Sequence, residues 1–454
     1  MSNPLLADLA ALLARSPGEA ERYRAADHVA DWIACATAGA ASDAGRAVLS
    51  VVQSESGPIR SLGRAEGLPA RAAAFAMGAL GNPLEMDDVD RAAILHPGPV
   101  IVPAALAVGQ RVGASGAALL DAIAVGYEAT IRLGRSVGPG HYALWHNTAT
   151  CGPVGAAAAA ARLLHLDGER TLWALGNALT QASGPWAMRH EPVMTKQLHT
   201  ARAAEAGLTA ALLAEAGFTG PACILEGPQG FYAGMCPDPE PAQITADPEA
   251  WRIHEVSFKP WPACRHCHPA IDAALALRDR VDPGEVSRIE IAVYADAARM
   301  CDRPGPTTVL EAKFSLQHAV ALALLDGPPD LSAFDPPAWA RPDATRLRAR
   351  AEVVVDPEIS ARYPRRFGAR VATVLTDGRR LTEARTDAHG DPEDPMDAAG
   401  HARKARMLFT AAGLGAAAAE RASGAARALP EAPDLSALLD ALPADLPATA
   451  RIAA

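Results

Sequence analysis

Four short segments place ionisable side chains beside points where helices begin. The first runs from Leu84 through Glu85, Met86, Asp87, Asp88, Val89, Asp90 and Arg91 to His96 and Pro97. It is an acidic loop closed by a histidine, and a helix is expected from about Val100. A histidine at a helix N-terminus meets the positive end of the dipole, which favours neutral imidazole, a competent base. The second segment, Gly138–Thr148, puts His146 just ahead of another helix, with Thr148 or Thr150 as its expected cap. The third, Thr195-Lys196-Gln197-Leu198-His199, opens a long helix and sets Lys196 and His199 on one face. A lysine in a first turn opposes the dipole, but with the free backbone N–H groups there it makes an anion site. The fourth, Phe258–His268, packs Lys259, Cys264, Arg265, His266, Cys267 and His268 into eleven residues.

Each segment also has a plain structural reading. Asp87, Asp88 and His96 can cap and solvate a loop; a lone His146 fits a satisfied core histidine; Lys196 can be a tolerated surface residue. Cys264-Arg265-His266-Cys267-His268 spells a c-type haem attachment string, but such haem belongs to exported proteins and no export signal is read here. A zinc site is also a poor fit, because no second paired cluster accompanies these ligands. What remains is a polar stretch between two domains, where clefts commonly lie.

The elements that must position these groups follow from periodicity. Apolar residues recur at helical spacing in 26–38, 70–81, 117–133, 155–166, 171–182 and 201–216. Asp167-Gly168 and Gly217 are read as helix stops, and 414–454, rich in Ala, Pro and Leu, as weakly ordered. Strands are expected at 287–295, 351–355, 369–375 and 380–385. Thr376-Asp377-Gly378 between the last two suggests a tight primed turn. A helix is expected over 315–325. The fold class is therefore mainly α with a smaller α+β domain: helical 1–255, α+β 256–395, and helical again over 396–454.

The chain's 454 residues suffice for two or three domains with a sizeable core. Its 42 basic against 52 acidic residues, net −10, exclude a broad nucleic-acid surface while allowing a local cationic pocket. No apolar stretch approaches the roughly 20 residues of a membrane span. Seven scattered cysteines suit reduced thiols, so a cytoplasmic location is expected.

The chain resembles the MmgE/PrpD family from about residue 5 to about 415. The resemblance is carried by the acidic loop ending in His96-Pro97, Gly126-Tyr127-Glu128, Trp145-His146-Asn147-Thr148 and Thr195–His199. It continues through Gly217–Pro221, Leu225-Glu226-Gly227, Lys259–His268, Ala312-Lys313-Phe314-Ser315 and Gly390–Met396. The family includes a 2-methylcitrate dehydratase, a cis-aconitate decarboxylase and an iminodisuccinate epimerase. The resemblance implies a helical domain with an α+β lid, a homodimer, a site between the domains, and chemistry without metal or cofactor on a small polycarboxylate. It implies His96, His146, Asp88, Lys196 and His268 as catalytic residues, with Asp87, His199 and Lys259 as substrate-binding neighbours.

Removing a proton beside a carboxylate builds charge that pre-placed cations and N–H donors must absorb, and Lys196 suits that role. His96 and His146 suit the acid–base pair, with Asp88 orienting one of them; which ring takes the proton is left open. Two departures bear on substrate: Glu85-Met86-Asp87-Asp88 replaces an Asp-Phe-Asp-Asp type loop, and Gly140-His141-Tyr142 is similar to the epimerase member. Dehydration of a hydroxy di- or tricarboxylate is the first expectation. Epimerisation of an amino- or iminodicarboxylate is the second, decarboxylation the third, and a non-catalytic polycarboxylate binder remains a further alternative.

Overall fold

The computed structural model describes residues 3–191, 193–447 and Ile452. Met1 and Ser2 of the N-terminal stretch, and the tail beyond Pro447 apart from Ile452, lie outside the described residues. The chain is mainly helical with one small four-stranded mixed sheet. It divides into two units: one runs to Val256 and is completed by Ala402–Ile452, and the other spans Ser257–His401.

The helical unit contains α1 (Leu5–Leu13), α2 (Glu19–Ala40), α3 (Asp43–Val51), α4 (Ala70–Leu80), α5 (Gly98–Val112), α6 (Gly116–Ser136), α7 (Gly138–Leu144), α8 (Asn147–Leu163), α9 (Gly168–Leu179) and α10 (Thr195–Glu215). α8 packs against α6 and α10, and α10 against α4. Alanine makes this possible, since all of Ala156–Ala161 is buried with almost no side-chain entropy to lose. Where α6 meets α8 the backbones themselves touch: a Cβ on Gly155 would sit 2.7 Å from the Gly126 carbonyl oxygen. Only glycine fits there.

Two local expectations are corrected. Asp167-Gly168 does not stop a helix; the Asp167 carboxylate accepts from the Arg170 N–H at 2.8 Å and starts α9. Residues 414–447 are structured, not weakly ordered. The helix Ala416–Arg427 buries Ala419, Ala422 and Ala426 and packs on α2. Its composition looks like a linker, but the alanine spacing is a helix stripe, and α2 supplies the partner that local sequence does not reveal.

The second unit holds β1 (Val286–Val293), β2 (Ala351–Val355), β3 (Ala369–Leu375) and β4 (Arg380–Arg385) in the order β2-β1-β3-β4. β1 and β2 are parallel, with Ile291 opposite Val353; β3 runs antiparallel to β1 and to β4. Helices His268–Arg278 and Leu316–Leu325 pack on each other and on the sheet, burying Ile271, Ile289, Ile291, Val320 and Val371. The β3–β4 turn is not the primed type. Gly378 N–H donates to the Leu375 carbonyl at 3.0 Å and Gly378 alone has positive φ, +86°, so Asp377 keeps an ordinary conformation. Leu375 N–H donates to the Arg379 carbonyl at 2.9 Å, so a three-residue loop with one left-handed glycine closes the hairpin.

Candidate active site

The loop between α4 and α5 is tied to several helices of its unit. Glu85 (φ 58°) and Ile94 (φ 49°) both lie in the left-handed region, which for a branched side chain costs on the order of 1–3 kcal/mol. Such strain persists only if the surroundings impose it. Lys404, from the helix Ala398–Ala411, donates to the Met86 carbonyl at 2.6 Å and to Asp31 of α2 at 2.5 Å. Arg135 of α6 holds Asp90 at 2.6 Å, and Asn147 donates to the Ala93 carbonyl at 2.7 Å. The Lys404–Asp31 pair is wholly buried. Burial pushes the Asp31 carboxyl up to about 6 against the pull of Lys404. For Lys404, burial acts downward, yet Asp31 more than offsets it and the ammonium is held above its ordinary range.

Asp88 lies at the centre of this scaffold. Its Oδ2 accepts from the Tyr127 hydroxyl at 2.6 Å and lies 2.7 Å from His28 Nδ1. Its Oδ1 accepts from the Gly98 N–H at 2.9 Å, placing an anion at the start of α5. A Cβ on Gly98 would fall 2.7 Å from that oxygen, so the arrangement requires glycine. The Asp88 side chain is thus turned into the scaffold, and only its carbonyl faces His96 Nδ1, at 2.9 Å. The carboxylate that meets this ring is Asp87, whose Oδ2 lies 3.0 Å from His96 Nδ1 and also accepts from Asn82 at 2.7 Å. These two oxygens can only accept, so His96 Nδ1 carries a hydrogen, and a neutral ring in this position would have its lone pair on Nε2.

His146 is the N-cap residue of α8, its N–H bound to the Gly184 carbonyl at 2.9 Å. Neither threonine caps the helix as expected. Thr148 Oγ1 instead accepts from the His96 N–H at 3.0 Å, and Thr150 Oγ1 contacts His141 Nε2 at 2.8 Å. The His146 ring packs against Trp186 with centroids 4.4 Å apart, and its Nδ1 lies 3.1 Å from His199 Nδ1. Burial pulls His146 well below the usual imidazole range, with Lys196, His199 and His96 adding to the shift. Burial and then Lys196 lower His199 in the same way. Lys196, in the first turn of α10, is ion-paired with Glu85. The helical unit therefore gathers Glu85, Asp87, His96, His146, Lys196 and His199, with Asp88 behind them.

His268 and Lys259 belong to the second unit, and both are buried. His268 is the first residue of its helix, with Nε2 3.1 Å from the Ala263 carbonyl. His266 is a core ring: Nδ1 meets the Tyr294 hydroxyl at 2.5 Å, and the ring stacks on Phe367 at 5.7 Å. Cys264 and Cys267 are buried free thiols. Among the described residues, the cluster with metal-like spacing is Asp387, Asp391 and Glu393. Arginines neutralise it: Arg366 reaches Asp387 at 2.8 Å and Glu393 at 3.1 Å, and Arg265 pairs with Asp391.

Sequence reasoning did not assign His28, Tyr127, Asp31 or Lys404. His28 and Asp31 did leave a trace, as polar residues within the otherwise alanine-rich, buried face of α2. Lys404 left none, because its partners are more than 300 residues away.

A mainly helical unit that gathers carboxylates, imidazoles and a lysine is followed along the chain by a small α+β unit, which gives a two-unit architecture. The family comparison makes the assignment particular. The MmgE/PrpD N-terminal domain matches residues 6–244 and the MmgE/PrpD C-terminal domain residues 261–429; the chain belongs to the MmgE/PrpD family. It is similar to the cis-aconitate decarboxylase of Mus musculus, 28% identical over 352 residues, covering 72% of this chain and 70% of that one. The Homo sapiens cis-aconitate decarboxylase is 27% identical with the same coverage, and that of Aspergillus terreus 24% identical over 78% of each chain.

Proposed function

We propose that the protein is a cofactor-independent lyase acting on a small di- or tricarboxylic acid, by proton transfer at a carbon beside a carboxylate. The observation that carries this reading is the grouping, in one unit, of the buried His146 and His199 imidazoles, an Asp87-oriented His96, and Lys196. An elimination needs a base at the C–H bond and an acid at the departing group, and imidazoles near neutrality serve as both. Charge developing on the substrate carboxylate needs a cation, and Lys196 supplies one when Glu85 gives way to the substrate. His268 and Lys259 are proposed to contribute from the second unit.

Dehydration of a hydroxy acid is our first reading, because it uses both an acid and a base. Decarboxylation is the second, favoured by the relatives of the preceding section, each a cis-aconitate decarboxylase. Proton NMR of the purified protein in D2O with hydroxy-, amino- and unsaturated di- and tricarboxylates tests this. New olefinic signals, or loss of carbon dioxide from cis-aconitate, are expected. Deuterium entering the α-position with no other change would replace the lyase with an epimerase. No change with any acid, while Lys196→Ala still abolishes binding, would make the protein a polycarboxylate binder.

A further inference from the structure

The contact between His146 and His199 is between like atoms, Nδ1 to Nδ1, at 3.1 Å. Such a contact is a hydrogen bond only if one ring carries a proton on Nδ1 and the other does not. Two neutral rings so joined must be opposite tautomers. The ring with Nδ1–H has its lone pair on Nε2, and the other has Nε2–H. No described residue takes or gives a hydrogen bond at either Nε2, so the pair offers one basic and one acidic nitrogen at its two ends.

The surroundings keep this arrangement neutral. Both rings are buried, Lys196 and His96 lie near enough to His146 to oppose its protonation, and Glu85 is the nearby group that favours it. The first turn of α10 adds Lys196 and no acid on the His199 side. Backbone restraints hold both rings in register: Gly184 binds the His146 N–H, and its own α-carbon lies against His199, where a Cβ would come within 3.3 Å of the ring and 2.5 Å of Ala149. Trp186 packs against the His146 ring, with centroids 4.4 Å apart.

We propose that His146 and His199 work as one two-ring proton relay, in which a proton accepted at one Nε2 is released from the other. In the direction that starts at His146, its Nε2 lone pair takes the substrate proton, leaving the C–H electron pair on carbon. The His146 Nδ1 proton then passes to His199 Nδ1, and His199 gives up its Nε2 proton to water. Both rings end neutral with their tautomers exchanged, and no imidazolium accumulates in the buried site. His199, taken from the sequence as a binding neighbour, is on this account half of the acid–base device. The carbon-acid step rests on the lyase reading above; the shared proton does not.

Histidine-selective ¹⁵N labelling with long-range ¹H–¹⁵N NMR at neutral pH reads the tautomers directly, assigned with His146→Gln and His199→Gln. Opposite tautomers, with each ring's resonances moving when its neighbour is replaced, are expected. Two rings of the same tautomer, titrating independently, would overturn the relay whatever the catalytic result. In turnover, His199→Gln keeps a hydrogen-bonding group but cannot pass a proton on; kcat should fall about tenfold or more with KM within about twofold. His199→Ala should regain part of its rate when free imidazole is added. An unchanged kcat in His199→Gln would also overturn the proposal. If the wild type turns over none of the acids, the lyase reading fails, and the tautomer measurement still decides the relay.

Discussion

The buried histidines of the two units look alike by composition and differ in what their ring nitrogens meet. In the α+β unit, His266 and His318 are pulled down to about 4 by burial. His266 meets a tyrosine hydroxyl and His318 a backbone carbonyl, the latter at 2.8 Å beside the Arg348 guanidinium. In the helical unit, His146 and His199 are shifted the same way, yet each meets the other imidazole through Nδ1 and keeps Nε2 clear of protein partners among the described residues. Burial and a lowered pKa are therefore shared by packing histidines and candidate acid–base ones. Among these four rings, the partner of each nitrogen separates the two kinds.

The sharpest way to break that comparison is to exchange roles. His146→Asn and His96→Ala should each lower kcat by roughly 10²- to 10⁴-fold, with stability changed by no more than about 1 kcal/mol. His318→Gln should do the reverse, costing about 2 kcal/mol in urea denaturation while kcat stays within about twofold. A catalytic collapse in His318→Gln would erase the distinction.

Next in size is the buried pair beneath the acidic loop. Lys404→Met leaves Asp31 uncompensated and frees the Met86 carbonyl, and should destabilise by about 3–5 kcal/mol. The double variant Lys404→Met/Asp31→Leu should recover much of that loss, though not kcat, because the strained loop has still lost its tether. Equal losses in both variants would mean the charge pair is not the reason.

The pH dependence of stability is a third handle. Unfolded histidine titrates near 6.5, whereas His266 and His318 titrate at about 4 when folded. Between these values the unfolded chain binds more protons, so their stabilisation is full above 6.5 and is lost as pH falls toward 4. Each is worth up to about 3 kcal/mol. His28, His146 and His199 act in the same direction. Asp31, raised to about 6, acts oppositely, losing stability as pH rises from about 4 to 6. Urea midpoints should still rise from pH 4.5 to 7, and His266→Phe should flatten the rise. Tyr127→Phe removes one bond to Asp88 and should cost about 1.5–3 kcal/mol, with a modest fall in kcat.

Much of this was legible in the sequence because it is local. β2, β3 and β4 occupy the residues read as strands, the last two on either side of the Asp377-Gly378 turn, and α10 begins at Thr195, where the lysine–histidine turn stands out. The residues that escaped are those whose meaning comes from distant chain. Asp87 and Asp88 are adjacent and chemically identical; only the positions of Tyr127, His28 and Gly98 decide that Asp88 turns inward and Asp87 faces His96. Thr148 looked like a helix cap until the loop returned His96 to it. The Ala416–Arg427 stripe had no visible partner before α2 was in place.

The central claim is that the imidazoles of the helical unit move a proton at carbon. The most direct measurement is solvent deuterium incorporation by proton NMR, comparing wild type, His146→Asn and His318→Gln with the acid that the wild type transforms. Wild type and His318→Gln should incorporate deuterium at equal rates per folded molecule, and His146→Asn should be slower by roughly 10²-fold or more. Equal incorporation by all three would contradict the account.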